Sequence, residues 1–468
     1  MGKNLIFKRV KSEGLAHISY LVGSSEEAAV IDPRRDCEIY ASIAREEGLR
    51  IEYIFETHRN EDYVIGSLDL SRLTGAAVYH GPGLGFKYGK TLNDGQTFRI
   101  GNMKLIAIYT PGHTDESISY SLVDETLNDG STMVFTGDAL FVGDVGRTDL
   151  YGPKETHRLS EALYSSIFNK ILPLGDGVML CPAHGAGSVC GGSISEREWS
   201  TLGLERLYNP LLQKTREEFV KFKIAERLKR PPYFKKMEEY NLEGPALLGN
   251  LPTPPPLLPS EFQKMVRKGA QVVDTRMPSA FGGSHINGSY SIWLEGLPSY
   301  TGWMLSYELP VLLVLENREQ LDRAVRYLVR LGYDQIDGYL CAGVEACGLE
   351  SWYTAAYPID HLALLGIHEL KEQLDNGPKL TLLDVRTDEE WNKGHIEDAI
   401  NIYVGNLEER LNLVPDNYPV AVICSVGNRA SLAASLLRRA GRREVSNVLG
   451  GMTAWKRAGY PIVGLNET

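Results

Sequence analysis

The chain lacks several features, and each absence excludes a class of protein. No apolar run approaches the ~20 residues that cross a bilayer, and the N-terminal MGKNLIFKRVKSEG has no apolar signal segment. The 6 cysteines contain no CxxC pair and are too few for a disulfide framework in 468 residues. A net charge of −11 without a basic run disfavours a nucleic-acid surface. We therefore expect a cytoplasmic protein without nucleic-acid or membrane partners.

Four short apolar segments, by contrast, each run into a histidine or an aspartate. They are YIFETHRNED (53–62), IAIYTPGHTDE (106–116), MVFTGDALF (133–141) and VMLCPAHGAG (178–187). Each pattern is typical of a buried strand, bounded by glycine or proline, with the polar residue at its carboxyl end. Because α/β folds place their chemistry at strand ends, the four segments predict one shared site.

The residues at these ends indicate a metal site. His58, His113 and Asp138 supply two imidazoles and one carboxylate. Mononuclear non-haem Fe(II) sites use this set and keep positions open for O₂ and substrate. Zinc also accepts nitrogen and oxygen ligands, so the residue types alone leave both metals possible.

The same motifs resemble those of the metallo-β-lactamase superfamily. Its first motif, His-x-His-x-Asp-His, builds two adjacent metal sites, whereas this chain reads HRNEDY, with Asn60 and Tyr63 in place of two histidines. The later motifs keep their order, with His113 in PGHT, Asp138 in TGDALF and His184 in PAHG. The resemblance implies an αββα sandwich of two sheets with helices outside.

The departures favour one branch of that superfamily. A dinuclear hydrolase of the glyoxalase II type needs the missing histidines, whereas the superfamily's persulfide dioxygenases bind one iron through positions that match His58, His113 and Asp138. The resemblance therefore implies one Fe(2+) per chain. Residues expected to orient ligands or substrate are Asp62, Tyr63, His184 and, in GDVGRTDL and HGAGSVCGG, Arg147 and Cys190. Cys190 is either a second sulfur carrier or a structural cysteine.

Composition shifts divide the chain into segments. Its length suggests about three domains. Residues 1–245 hold the metal-site motifs and are predicted to form the metallo-β-lactamase-like domain, with a helix at Glu38–Glu47. Residues 246–259 contain NLPTPPPLLP, whose prolines predict an extended linker.

The remainder repeats itself. QVVDTRMPSAFGGSHINGSYSI starts at residue 271, LTLLDVRTDEEWNKGHIEDAINI starts at residue 380, and each continues into an apolar strand and a helix. This repetition predicts two α/β domains with parallel sheets, at 260–357 and 358–468.

Only the second copy carries a cysteine at the critical turn. Cys424 ends a predicted buried strand, and SVGNRAS then leads into a helix. Backbone N–H groups, the positive helix end and Arg429 would stabilise a thiolate or a persulfide there. The motifs DVR, GHI, CSVGNRA and GGMTAW resemble the rhodanese sulfurtransferases, which implies catalytic roles for Cys424 and Arg429. The first copy has Glu316-Asn317-Arg318 after its strand and is expected to be catalytically silent.

Together the resemblances imply an Fe(II)- and O₂-dependent dioxygenase that oxidises a small thiol persulfide to sulfite. A rhodanese domain would move a sulfane sulfur between the persulfide and sulfite, and would thereby form or use thiosulfate. Two alternatives remain, namely a zinc-dependent thioester hydrolase with an attached sulfurtransferase and a non-catalytic sulfur-binding scaffold. The thiol carrier is left open by the sequence, and a homo-oligomer is a possible partner state.

Overall fold

A computed structural model describes residues 5–126, 130–341 and 348–464. The chain divides into two compact units, one formed by Met1–Leu251 with Val329–Gly332 and the other by Pro252–Leu328 with Tyr333–Thr468. Each unit is described by itself.

The first unit is built on two sheets, each with six described strands in the order β1-β2-β3-β4-β5-β6 and β12-β11-β10-β9-β8-β7. The strands are β1 (Ile6–Ser12), β2 (His17–Ser24), β3 (Glu27–Ile31), β4 (Arg50–Phe55), β5 (Ala77–His80), β6 (Lys90–Thr91), β7 (Thr97–Ile100), β8 (Met103–Tyr109), β9 (Ile118–Asp124), β10 (Ser131–Gly137), β11 (Met179–Pro182) and β12 (Ser200–Thr201). The helices are α1 (Glu38–Glu47), α2 (Ser67–Thr74), α3 (Pro153–Ser166), α4 (Leu202–Tyr208), α5 (Arg216–Ala225) and α6 (Phe234–Glu243).

An aromatic core joins the two sheets. Phe55 of one sheet packs against Tyr120 of the other, with ring centroids 5.0 Å apart, and both side chains are fully buried. Helices cover the outer faces, because Tyr40 of α1 packs on the first sheet and Leu163 of α3 on the second. The predicted αββα sandwich is confirmed.

The second unit contains two parallel sheets, each with five described strands. Their strands are β13 (Pro256–Leu257), β14 (Gln271–Asp274), β15 (Tyr290–Ser291), β16 (Val311–Val314), β17 (Ile336–Leu340), β18 (Ala363–Leu365), β19 (Thr381–Asp384), β20 (Ile400–Asn401), β21 (Val420–Ile423) and β22 (Val445–Val448). The orders are β13-β17-β16-β14-β15 and β18-β22-β21-β19-β20, which is the same permutation twice. The two predicted parallel α/β folds are confirmed.

Helices flank these sheets and connect their strands. They are α7 (Pro259–Arg267), α8 (Pro278–Gly283), α9 (Leu297–Met304), α10 (Leu321–Arg330), α11 (Leu349–Thr354), α12 (Ile367–Asn376), α13 (Asp388–Asn392), α14 (Asn428–Arg439) and α15 (Gly451–Arg457). Within the described residues, no helix is both long and apolar enough to cross a membrane.

Two details differ from the sequence-based expectations. The end of the predicted linker is a strand, because β13 pairs in parallel with β17, and Tyr339 donates its backbone N–H to the Pro255 carbonyl at 3.1 Å. Cys341 is disulfide-bonded, whereas Cys37, Cys181, Cys190 and Cys424 are free. The chain therefore contains a disulfide that its sparse cysteines did not predict.

Candidate metal centre and sulfur-transfer loop

Three predicted ligands meet in the first unit. His58 follows β4, His113 follows β8 and Asp138 follows β10, and all three side chains are at most 2 % exposed. The Asp138 Oδ2 atom lies 3.6 Å from His58 Nε2 and 3.5 Å from His113 Nε2. The His58 Nε2 and Asp138 Oδ2 atoms are buried without a hydrogen-bond partner, and His113 Nε2 lies 2.9 Å from a carboxylate oxygen of Glu61. Since an unpaired buried polar atom is costly, donor atoms gathered at one point in this way fit a bound cation.

Hydrogen bonds on the opposite side of each ligand fix its orientation. The His113 Nδ1 atom lies 2.9 Å from the Arg147 carbonyl, which accepts only from a protonated Nδ1 and leaves Nε2 for a metal. The Thr57 hydroxyl lies 2.9 Å from His58 Nδ1. The remaining oxygen of Asp138, Oδ1, lies 2.7 Å from His184 Nδ1. Such supporting contacts are what a metal site needs to hold its ligands in place.

The charge states of His58 and Asp138 also fit a cation. Burial lowers the pKa of His58 to about 4, so its imidazole is neutral at pH 7. Burial raises the pKa of Asp138, but the imidazoles of His184 and His58 outweigh it and hold the pKa well below its ordinary value. Asp138 is therefore an anion beside neutral His58, and two nitrogens with one carboxylate oxygen match the donor set expected for a non-haem metal site.

The structure adds Glu61 to this site, which the sequence interpretation missed. Glu61 is fully buried, and its Oε1 atom lies 2.9 Å from His113 Nε2. Burial lowers the pKa of His113, but the Glu61 carboxylate outweighs it and raises the pKa to about 9. The only sequence signal was the position of Glu61 inside HRNEDY.

A second cluster lies beside the first. Asp62, His184 and Cys190 each offer a donor atom, and these atoms lie within 4.8 Å of one another. His184 Nε2 is 3.0 Å from Asp62 Oδ2, while the Cys190 thiol donates to Glu61 Oε1 at 3.7 Å. The structure thus brings Cys190 to the metal site, as the sequence suggested, but places its sulfur against a carboxylate, and burial raises the pKa of the thiol.

Tyr63 and Arg147 lie on two sides of this centre. Tyr63 is fully buried, and its ring centroid lies 4.0 Å from that of His17. Arg147 pairs with Asp149 at 2.7 Å and donates to the carbonyls of residues 189, 228 and 229. Arg147 therefore ties two loops, around residues 189 and 228–229, to the strand end that bears Asp138.

Asp32 is a further support that the sequence interpretation overlooked. It accepts from the Thr57 backbone N–H at 2.8 Å and from the Thr57 hydroxyl at 2.7 Å. Through Thr57 it orients His58. Asp32 directly follows β3 in VIDP, so the pattern of a polar residue at a strand end could have found it.

In the second unit, Cys424 directly follows β21 and precedes the turn into α14. The Gly427 N–H points at its sulfur, with N and Sγ 3.1 Å apart, and Gly427 has a φ of 113° that favours glycine. A Cβ on Gly451 would lie 2.2 Å from the Cys424 carbonyl oxygen, so the GGMTAW segment packs directly under the loop. The thiol therefore lies in a tight turn next to backbone donors.

Arg429 is held by an acid. Its guanidinium donates to the two oxygens of Glu390 at 2.6 and 2.7 Å, and to the Ser425 hydroxyl at 2.6 Å. Burial raises the pKa of Glu390, but Arg429 outweighs it and lowers the pKa to about 2. The Arg429 charge is thus neutralised beside Cys424, and its direct contacts shape the loop.

Comparisons with known proteins match two parts of the chain to known families. Residues 13–184 match the model of the metallo-beta-lactamase superfamily, and residues 367–458 match that of the rhodanese-like domain. The mitochondrial persulfide dioxygenase ETHE1 of Bos taurus is 32 % identical over 232 residues, which is 46 % of this chain and 77 % of that protein. The Homo sapiens protein is 33 % identical over 221 residues, 46 % of this chain and 78 % of that protein.

A solved structure extends the likeness over more of the chain. A metallo-beta-lactamase from Staphylococcus aureus is 31 % identical with a TM-score of 0.64, and the match covers 72 % of this chain and 99 % of that one. The chain therefore belongs to the metallo-β-lactamase superfamily, among the relatives of the ETHE1 persulfide dioxygenases, and carries a rhodanese-like domain in its C-terminal part.

Proposed function

We propose that the chain oxidises a low-molecular-weight thiol persulfide with O₂ at one Fe(II) and transfers sulfane sulfur at Cys424. The observation that carries the first half is the set of three buried donor atoms of His58, His113 and Asp138, which lie within 4.8 Å of one another. The likeness to persulfide dioxygenases over 77 % of the bovine protein supports it.

The overall reaction balances as RSSH + O₂ + H₂O → RSH + SO₃²⁻ + 2 H⁺. When bound, iron would supply the redox chemistry and the open positions for both reactants. The residues of the chain would bind the iron and hold its ligands in a fixed orientation. His113 presents Nε2 because its Nδ1–H is held by the Arg147 carbonyl, and Asp138 presents one oxygen because His184 holds the other.

Sulfur transfer would use the sulfite made at the first site. The sulfur lone pair of sulfite attacks the terminal sulfur of a Cys424 persulfide, the S–S bond to Cys424 breaks, and thiosulfate leaves with Cys424 as the thiolate. The reverse reaction loads Cys424 from thiosulfate. The N–H of Gly427 is aimed at the sulfur and donates a hydrogen bond to it.

The test of the oxygenase is O₂ uptake by Fe(II)-loaded protein given glutathione persulfide. We expect uptake with sulfite or thiosulfate as product, and its loss together with bound iron in His113→Ala. The matched control is His157→Ala, which removes the same imidazole from an exposed position on α3.

The zinc hydrolase alternative has one structural point in its favour, the second donor cluster of Asp62, His184 and Cys190. It requires two metal ions per chain and thioester hydrolysis. We expect one iron per chain, because His184 already bridges Asp138 and Asp62 and Cys190 is bonded to Glu61. Two bound metals without O₂ uptake would favour the hydrolase.

A further inference from the structure

The two rhodanese-like repeats of the second unit contact each other close to Cys424. Helix α14, which starts just after the cysteine loop, lies against strand β15 of the other repeat. The Ser431 hydroxyl lies 2.7 Å from the Ser291 hydroxyl, and the Arg439 guanidinium stacks on the Tyr290 ring at 3.8 Å from its centroid. Buried hydrogen bonds at this contact define how the cysteine-free repeat is placed relative to the loop.

From this contact, helix α9 of the cysteine-free repeat extends toward the active loop. The Trp303 ring meets the edge of Tyr403 at 5.6 Å and 80°. A Cβ on Gly405 would lie 2.6 Å from the Trp303 ring, so this close approach depends on glycine at position 405. One turn earlier on α9, Tyr300 packs beside Trp293 with ring centroids 5.4 Å apart.

Tyr300 lies in the electrostatic field of the sulfur-transfer site. Burial raises its pKa well above the ordinary value, and the neighbouring Tyr403, Cys424 and Glu390 add to the rise, while Arg429 opposes it. The Tyr300 phenol is therefore neutral at physiological pH and keeps its O–H as a hydrogen-bond donor. Part of the donor capacity of Arg429 is already used by Glu390 and Ser425. An anionic reactant at Cys424 meets the Gly427 N–H and would gain from a further neutral donor.

We propose that the cysteine-free repeat forms one wall of the Cys424 site and that the Tyr300 hydroxyl donates a hydrogen bond to the sulfur oxyanion that exchanges sulfur there. The inference rests on the sulfur-transfer half of the proposed function. The oxyanion is sulfite when it accepts sulfur from the Cys424 persulfide and thiosulfate when it loads the cysteine. A repeat without a nucleophile would then select the reactant used by its neighbour.

The test compares the full-length wild type with Tyr300→Phe and with Tyr353→Phe as a matched control. Both variants remove one hydroxyl, but Tyr353 is 46 % exposed on α11. We expect kcat/KM for sulfite to fall about tenfold in Tyr300→Phe, mainly through a higher KM, because the variant loses one hydrogen bond to a charged group. Tyr353→Phe should stay within about twofold of the wild type.

A second measurement works without turnover. Cys424 is alkylated with iodoacetate or with neutral iodoacetamide, and the ratio of the two rates is read at the Cys424 peptide by mass spectrometry. Tyr300→Phe should lower this ratio, because only iodoacetate carries an anion for the hydroxyl to bind. A general change in access to the thiol would alter both rates and leave the ratio unchanged.

The outcomes separate this inference from the function on which it rests. One outcome is that the wild type transfers sulfur while Tyr300→Phe has unchanged sulfite kinetics and an unchanged alkylation ratio. It would overturn the proposed role of the cysteine-free repeat but not the sulfurtransferase activity. A wild type that transfers no sulfur would overturn the sulfurtransferase, and the alkylation ratio would still decide whether Tyr300 recognises anions. Oxygen uptake should be the same in all three proteins.

Discussion

The two repeats of the second unit share a scaffold but differ in chemistry. Each begins with a buried aspartate that pairs with an arginine two residues later, Asp274 with Arg276 and Asp384 with Arg386, both at 2.6 Å. In each, a histidine eleven positions after the aspartate stacks on an aromatic ring of the preceding helix, with centroids 4.0 Å apart in one repeat and 3.5 Å in the other. The supporting contacts are therefore kept where the nucleophile is not.

Strand register shows what replaced the cysteine. Asp274 of β14 lies opposite Val314 and Asp384 of β19 lies opposite Ile423, so Leu315 occupies the place of Cys424. The loop after Leu315 enters a short 3₁₀ turn at Arg318–Gln320, whereas the Cys424 loop enters α14 directly. The fold and the chemistry of the repeats are therefore separable. Stability depends on the aspartate–arginine pairs that both repeats contain, whereas reactivity depends on the cysteine loop that only the second repeat contains.

The largest expected effect comes from the nucleophile. Cys424→Ala should lower sulfur transfer by roughly three orders of magnitude or more, because the covalent intermediate is lost. Adding Leu315→Cys to that variant should not restore transfer, because the chain after residue 315 enters a 3₁₀ turn at Arg318–Gln320, whereas the Cys424 loop enters α14 directly. Transfer assays with thiosulfate and sulfite check both, and recovery in the double variant would show that the scaffold alone is sufficient.

The second effect concerns the shared ion pairs and should be equal in the two repeats. Arg276→Met and Arg386→Met each leave a buried aspartate without its partner, which costs about 3–5 kcal/mol. Thermal unfolding should show a similar loss of stability for both. The control is Lys371→Met, whose exposed pair with Asp375 should contribute close to nothing. A large loss of stability for only one of the two variants would contradict the expected equivalence of the two ion pairs.

A smaller effect is expected at the tryptophan that closes each repeat. Trp352 donates its indole N–H to the Pro358 carbonyl and Trp455 donates to that of Pro461, both at 2.8 Å. Replacing either by phenylalanine should cost about 1 kcal/mol for the unpaired carbonyl, beyond the lost ring area. Unfolding midpoints of both variants test whether the two contacts are equivalent.

The smallest effect should distinguish the repeats by pH. Glu390 is six residues after Asp384, and Ala280 holds that position in the first repeat, so only the second has the acid–arginine pair. The folded pKa of Glu390 is lowered to about 2 from 4.5, so its stabilisation is present above pH 4.5 and is lost as the pH falls toward 2. The stability difference between wild type and Glu390→Gln should therefore shrink over that range, as urea unfolding at pH 6 and pH 3 would show. A constant difference would contradict the pairing.

Much of the architecture could be read from local patterns. The helix predicted at Glu38–Glu47 has those bounds, and the ligand-bearing strands lie where short apolar runs end in histidine or aspartate. These predictions depend on side-chain periodicity and strand ends, which are local properties. The position of Cys424 after a buried strand was equally local.

The rest depends on contacts between distant residues. Glu61 meets Cys190 across 129 positions, and nothing near either residue encodes that contact. Strand β13 contains prolines, which the sequence indicates only as a spacer. Its parallel partner β17 is distant in the sequence, because Pro256 pairs with Tyr339, 83 residues later. The contact of Trp303 with Tyr403 likewise depends on how the two repeats pack.

The short strand β13 has a practical consequence for dividing the chain. It covers the outer edge of β17, where the backbone N–H groups of residues 339 and 341 bond to the carbonyls of residues 255 and 257. A truncated protein that begins at Pro259 would leave this edge bare, and bare parallel edges recruit strands from other molecules. Proteins that comprise only the two repeats should therefore remain monodisperse when they start before residue 255 and aggregate when they start after residue 257.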